Sequence, residues 1–111
     1  MTFPNSQNAN VLTSKITGYL LNLNHEVGKH KAKFFIKFGF SEDALNQFSD
    51  ALIVQGQTQT LRSSVTTKFG VKYTVDCNII SPDGRSPCIT TVWEIRPGSQ
   101  TPNLVTAFPK P

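Results

Sequence analysis

The chain has 111 residues, 38% of them hydrophobic and 16% charged, with a formal net charge of +4. This is one domain's worth of sequence with enough apolar material for a single core, which excludes both a disordered chain and separate catalytic and regulatory modules. The basic balance, with a pI near 9.3, favours an anionic partner such as nucleic acid or an acidic protein surface.

Residues 1 to 11, MTFPNSQNANV, lack the basic and apolar segments of a leader peptide. No apolar run approaches the roughly 20 residues of a membrane span, so a cytoplasmic location without membrane contact is expected. This polar, Asn-rich stretch reads as a flexible arm. Beyond it Leu12, Ile16, Tyr19 and Leu20 recur at helical spacing behind Thr13 or Ser14 as the cap, giving a first helix that ends near Asn22.

The segment NHEVGKHKAKFF, residues 24 to 35, gathers both histidines and three lysines at the start of an otherwise apolar helix, about Lys29 to Lys37. Lys29, Lys33 and Lys37 stack at i, i+4, i+8 with His30 beside them, and the ordinary reading of that stripe is a solvated basic face. Lys31 falls instead within the arc of Ala32, Phe34, Phe35 and Phe38. An amine there must snorkel to the edge or be held by partners. A third helix is capped by Ser41, carries Glu42 and Asp43 in its first turn, buries Ala44, Leu45, Phe48, Ala51 and Leu52, and stops at Gly56.

From Thr58 the period changes to two, most plainly where Val71, Tyr73, Val75, Cys77 and Ile79 alternate with Lys72, Thr74, Asp76 and Asn78. Gly70, the turn Ser81-Pro82-Asp83-Gly84, and Pro97-Gly98 punctuate the strands, and the last runs from Leu104 to Phe108. The expected architecture is a single α+β domain over residues 1 to 111. It comprises an arm at 1–11, a helical part at 12–56 and a sheet at 58–109, with three helices on one face of a four-stranded antiparallel meander.

Strand parity carries an anomaly. If Ile89, Trp93 and Ile95 point toward the helices, so does Thr91; if Leu104 and Phe108 point inward, so does Thr106. The ordinary reading of each is a hydrogen-bonded core threonine. His25 lies on a loop just before Gly28 and the helix start, where backbone N–H groups, Lys29 and Lys31 can gather around a phosphate. The candidate site is therefore His25, Lys31, Thr91 and Thr106, flanked by Gly28, Lys29, His30 and Lys33 as anion-binding residues.

Cys77 and Cys88 are too few for a disulfide framework, and with two histidines they match no familiar zinc spacing, so neither metal nor cofactor is expected. Cys77 shares the apolar parity of its strand and reads as a small core residue. No phosphate loop, dinucleotide fingerprint or nucleophile elbow is present.

The runs SKITGYLLNLNHEVGKHKAKFFIKFGF, FGVKYTVDCNIISPDGRSP, TTVWEI and LVTAFP cover residues 14 to 109 in order. They resemble a bacterial domain family that carries a domain-of-unknown-function label. Its members read approximately as Lys-Leu-x-x-Tyr-Leu-Leu, His-x-x-Gly-x-x-Lys-Ala-x-Phe-Phe, Tyr-Gly-x-x-Tyr, Pro-Asp-Gly-Arg, Thr-Val-Trp and Val-Thr-Ala-Tyr-Pro. Phe69 and Phe108 stand where that pattern has tyrosine. The layout is also similar, more loosely, to the barnase, EndoU, colicin and RelE-like metal-independent ribonucleases. That resemblance implies RNA as partner, His25 as general base or acid, Lys31 as charge stabiliser, and Thr91 and Thr106 as phosphate donors, with Arg96 peripheral. The competing expectation is a non-enzymatic cystatin-like or NTF2-like binding module. In it the crowded Phe34, Phe35, Phe38 and Phe40 would partly meet a second copy in a homodimer.

Overall fold

A computed structural model describes residues 2–26 and 28–110. Three α-helical elements precede the sheet: α1 (Thr13–Lys15), α2 (Lys29–Lys37) and α3 (Leu45–Thr58). Strands β1 (Thr60–Thr67), β2 (Gly70–Asn78), β3 (Cys88–Ile95) and β4 (Asn103–Pro109) follow, in the spatial order β1-β2-β3-β4 with every neighbour antiparallel. The α+β meander expected from the change of period is the observed fold.

The first helix departs from regularity. After one α-helical turn it widens into a π-helical segment, Ile16–Leu20, closed by the Leu21 N–H donating to the Ile16 carbonyl at 2.8 Å. Wide turns of this kind re-aim side chains within a helix. Here Ile16 and Leu20 stay in the core while Tyr19 is turned half out of it.

The helix α3 runs through Gly56 to Thr58 rather than stopping at the glycine. Gly56 is there for space: a Cβ would lie 2.8 Å from the Trp93 ring. Ser41 caps the preceding turn as expected, accepting from the Asp43 N–H at 3.1 Å.

Phe35, Phe48, Leu52, Val75, Ile89 and Trp93 form the centre of the core between α2, α3 and the sheet. Phe35 and Phe40 are buried, and Phe34 and Phe38 are half-buried against this cluster and each other. The aromatic excess of the second helix is therefore mostly core, which removes the main argument for a dimerising face.

The segment expected as a flexible arm is packed. Phe3 is 1% exposed and stacks on Tyr73 and Trp93 with ring centroids 5.8 and 5.6 Å apart. Asn10 pairs with Asn103 as an isolated parallel bridge beside β4. Phe3 and Val11 both join the core and anchor it, because burying apolar side chains outweighs ordering a short segment.

Cys77 is not a free core thiol. The register sets Asn78 opposite Cys88, which brings the neighbouring Cys77 within 4.3 Å of Cys88 between Cα atoms, and the two form a disulfide across β2 and β3.

Candidate functional site

At the edge of the sheet Tyr19, Lys31 and Thr106 converge from three different elements. The Lys31 ammonium donates to the Tyr19 hydroxyl and, at 3.0 Å, to Thr106 Oγ1. The two hydroxyls are 3.5 Å apart. Lys31 Nζ also lies 4.7 Å from the centroid of the Tyr19 ring and 5.5 Å from that of Phe108. An amine on the apolar arc of α2 is thus held by accepting hydroxyl oxygens and aromatic faces instead of snorkelling to water.

His25 closes the cluster. Its ring meets the Tyr19 ring edge-on with centroids 5.0 Å apart. The Gly28 N–H donates to His25 Nδ1 at 2.9 Å. The Gly28 amide is therefore engaged with a side chain, not offered to an anion as the sequence suggested. A ring that accepts at Nδ1 carries its proton on Nε2. Gly28 itself is dictated by crowding, since a Cβ there would lie 2.8 Å from Tyr19 Cδ1 and 2.9 Å from the Tyr19 carbonyl oxygen.

The Tyr19 phenol experiences opposing effects. Burial pushes its pKa up, but the hydrogen bonds with Lys31 and Thr106 and the positive charges of Lys31 and Lys15 outweigh it and hold the group below the usual tyrosine value. Tyr19 is the site residue that sequence reasoning missed. Helical spacing with Leu12, Ile16 and Leu20 places it in a buried stripe. The signal that could have found it was the hydroxyl: a half-buried tyrosine needs a partner, and Lys31 was an amine in want of one.

Thr91 is elsewhere. Its hydroxyl donates to Gln55 Oε1 at 2.7 Å and accepts from Trp93 Nε1 at 2.8 Å, wholly within the core. The cause is a β-bulge in β4. Trp93 pairs with Leu104 but Val92 pairs with Thr106, leaving Val105 as the extra residue and reversing parity beyond it. Thr106 and Phe108 thus share the sheet face of Val92 and Thr90, while Ala107 takes the helix-facing place opposite Thr91. The expectation that Thr91 and Thr106 project together is corrected on this register. Lys29, His30 and Lys33 are exposed along α2, as a solvated face requires. Among the described residues no group of three His, Cys, Asp or Glu side chains could hold a metal ion.

The fold and this cluster define a small α+β domain with a hydroxyl–ammonium site at one sheet edge. More particularly, the chain belongs to the family described as a domain of unknown function, DUF6883, whose profile matches residues 2–111. No curated protein matches the sequence. Among solved structures, a chain of the contact-dependent growth inhibition toxin–immunity protein complex from Klebsiella pneumoniae 342 is similar in fold, with a TM-score of 0.74 over 96% of this chain and 97% of that one, at 14% identity. No helix among the described residues is long and apolar enough to cross a membrane.

Proposed function

We propose that the domain cleaves RNA without a metal ion, using the Tyr19–Lys31 pair as its proton-transfer unit. The observation that carries this reading is the Lys31 ammonium held between the Tyr19 and Thr106 hydroxyls. A phenol with a depressed pKa bonded to an ammonium can take one proton and supply another within one contact.

In the proposed reaction Tyr19, as phenolate, accepts the 2′-hydroxyl proton. The 2′ oxygen attacks phosphorus, the bond to the 5′ oxygen breaks, and that oxygen leaves with a proton from Lys31. The proton on Tyr19 then passes to the Lys31 amine and restores the pair. The Thr106 hydroxyl and His25 Nε2–H donate to the phosphate oxygens as charge gathers on them. His25 is a donor in this scheme, in place of the base or acid role that the ribonuclease resemblance implied. The fold likeness to a chain of a toxin–immunity complex agrees with the coarser part of the reading, a small toxin- or immunity-like protein that meets a protein partner.

The test is cleavage of total RNA by the purified protein in chelator. Lys31→Ala and Tyr19→Phe should each slow it by about a hundredfold or more, with circular dichroism unchanged, while Thr91→Val should cleave like the parent. Equal cleavage by all four proteins, or none above buffer, would contradict the proposal.

A further inference from the structure

A cleft of about 440 Å³ lies beside the Tyr19 cluster, within the range of small-ligand sites. Leu12, Leu104 and Val105 supply its apolar lining, and Lys15, Glu94 and Arg96 its charges. Two of its lining residues neighbour the cluster. Lys15 Nζ lies 5.6 Å from the Tyr19 ring centroid, and Val105 is the bulge residue that sets Thr106 in place.

Two features single this cleft out. Leu12 is 55% exposed, a large apolar side chain left at the rim of a depression, where a flat ring could cover it. Glu94 is its opposite: the side chain is only 14% exposed and its Oε1 accepts from Arg96 Nε at 3.3 Å. That bond engages one oxygen and steadies the carboxylate, leaving the second outside it. Asn103, the remaining polar side chain there, is engaged by Asn10 at 3.1 Å.

We infer that this cleft receives the nucleobase next to the scissile phosphate and that Glu94 selects guanine. The inference rests on the RNA-cleavage reading for its substrate class. A carboxylate accepts hydrogen bonds only, so it favours a base that presents donors. Guanine presents two neighbouring donors, the N1–H and the exocyclic amine, for the carboxylate oxygen outside the Arg96 bond and for the remaining lone pair of Oε1. Uracil presents a single ring N–H between two carbonyl oxygens, which a carboxylate repels. Lys15, between the cleft and Tyr19, is placed for a phosphate on the same nucleotide.

The test is titration calorimetry of the parent protein and Glu94→Gln with guanosine, adenosine, cytidine and uridine 5′-monophosphates, alongside mapping of cleavage positions in RNA. The guanosine nucleotide should bind the parent at least tenfold tighter than the uridine nucleotide. Glu94→Gln, with an unchanged unfolding midpoint, should lose that margin while keeping its affinity for the uridine nucleotide. Equal affinities in the parent, or a guanosine margin that survives Glu94→Gln, would overturn the inference. Cleavage with no base preference would overturn it while leaving the nuclease reading standing. A guanosine margin without cleavage would keep the pocket and remove the nuclease reading.

Discussion

A tyrosine phenol titrates near 10.0 in water, and at Tyr19 burial raises that value while Lys31, Thr106 and Lys15 bring it down further than burial lifts it. The sign of the linkage follows. Between the depressed folded value and 10.0 the unfolded chain binds the extra proton, so the contribution of Tyr19 to stability grows with pH across that window and is lost as pH falls through the folded value. The stability difference between the parent and Tyr19→Phe, measured by urea unfolding at several alkaline pH values, should widen with pH. A difference that is flat in pH would contradict the assignment. Gly28→Ala presses a Cβ against Tyr19 and should reduce cleavage at least tenfold while the fold persists, a split read by assaying activity and unfolding together. At this scale Lys31 was legible in the sequence because a charge interrupts an apolar arc. Its partner was not, because helical spacing reports which face a residue takes and not what its hydroxyl will meet.

Among the elements, β3 and β4 decide which threonine belongs to the core and which to the site. Gln55, 1% exposed, binds α3 to the sheet: its Nε2 donates to the Val75 and Cys77 carbonyls at 3.3 Å and its Oε1 accepts from Thr91. Thr91→Val breaks this chain and leaves the Gln55 and Trp93 polar atoms short of a partner, so it should cost about 1–3 kcal/mol in urea unfolding and leave cleavage unchanged. Thr106→Val should do the reverse, lowering cleavage with less effect on stability. Identical behaviour of the two would show that the bulge does not separate them. A strict period of two made them look alike, and no turn residue announces the extra Val105. The same limit explains Gly56. Glycine in a helical pattern reads as a stop, whereas the distant Trp93 ring requires its lack of a side chain. Gly56→Ala should therefore destabilise by about 1–3 kcal/mol, as overpacking does.

For the whole molecule, the order of helices then strands was legible because the hydrophobic period changes once, near Thr58, and the turn residues between strands are conventional. What was not legible depended on long-range register. Phe3 reaches Tyr73 and Trp93 from the far end of the chain, and the disulfide depends on strand pairing that spacing alone does not give. With its cysteines at a sequence separation of 11, the disulfide should contribute about 2–4 kcal/mol. Reductant should accordingly lower the unfolding midpoint of the parent and leave Cys77→Ser/Cys88→Ser unmoved. Because such bonds are reduced in most cytosols, the protein's stability depends on its compartment. The central claim, that the Tyr19–Lys31 pair moves the 2′ proton of RNA, is tested most directly with a guanine-containing oligonucleotide in chelator, prepared with ribose throughout or with 2′-deoxyribose at every position. The account predicts cleavage of the ribose form alone, leaving a 2′,3′-cyclic phosphate end. Cleavage of the deoxyribose form, or a product without that end, would contradict it.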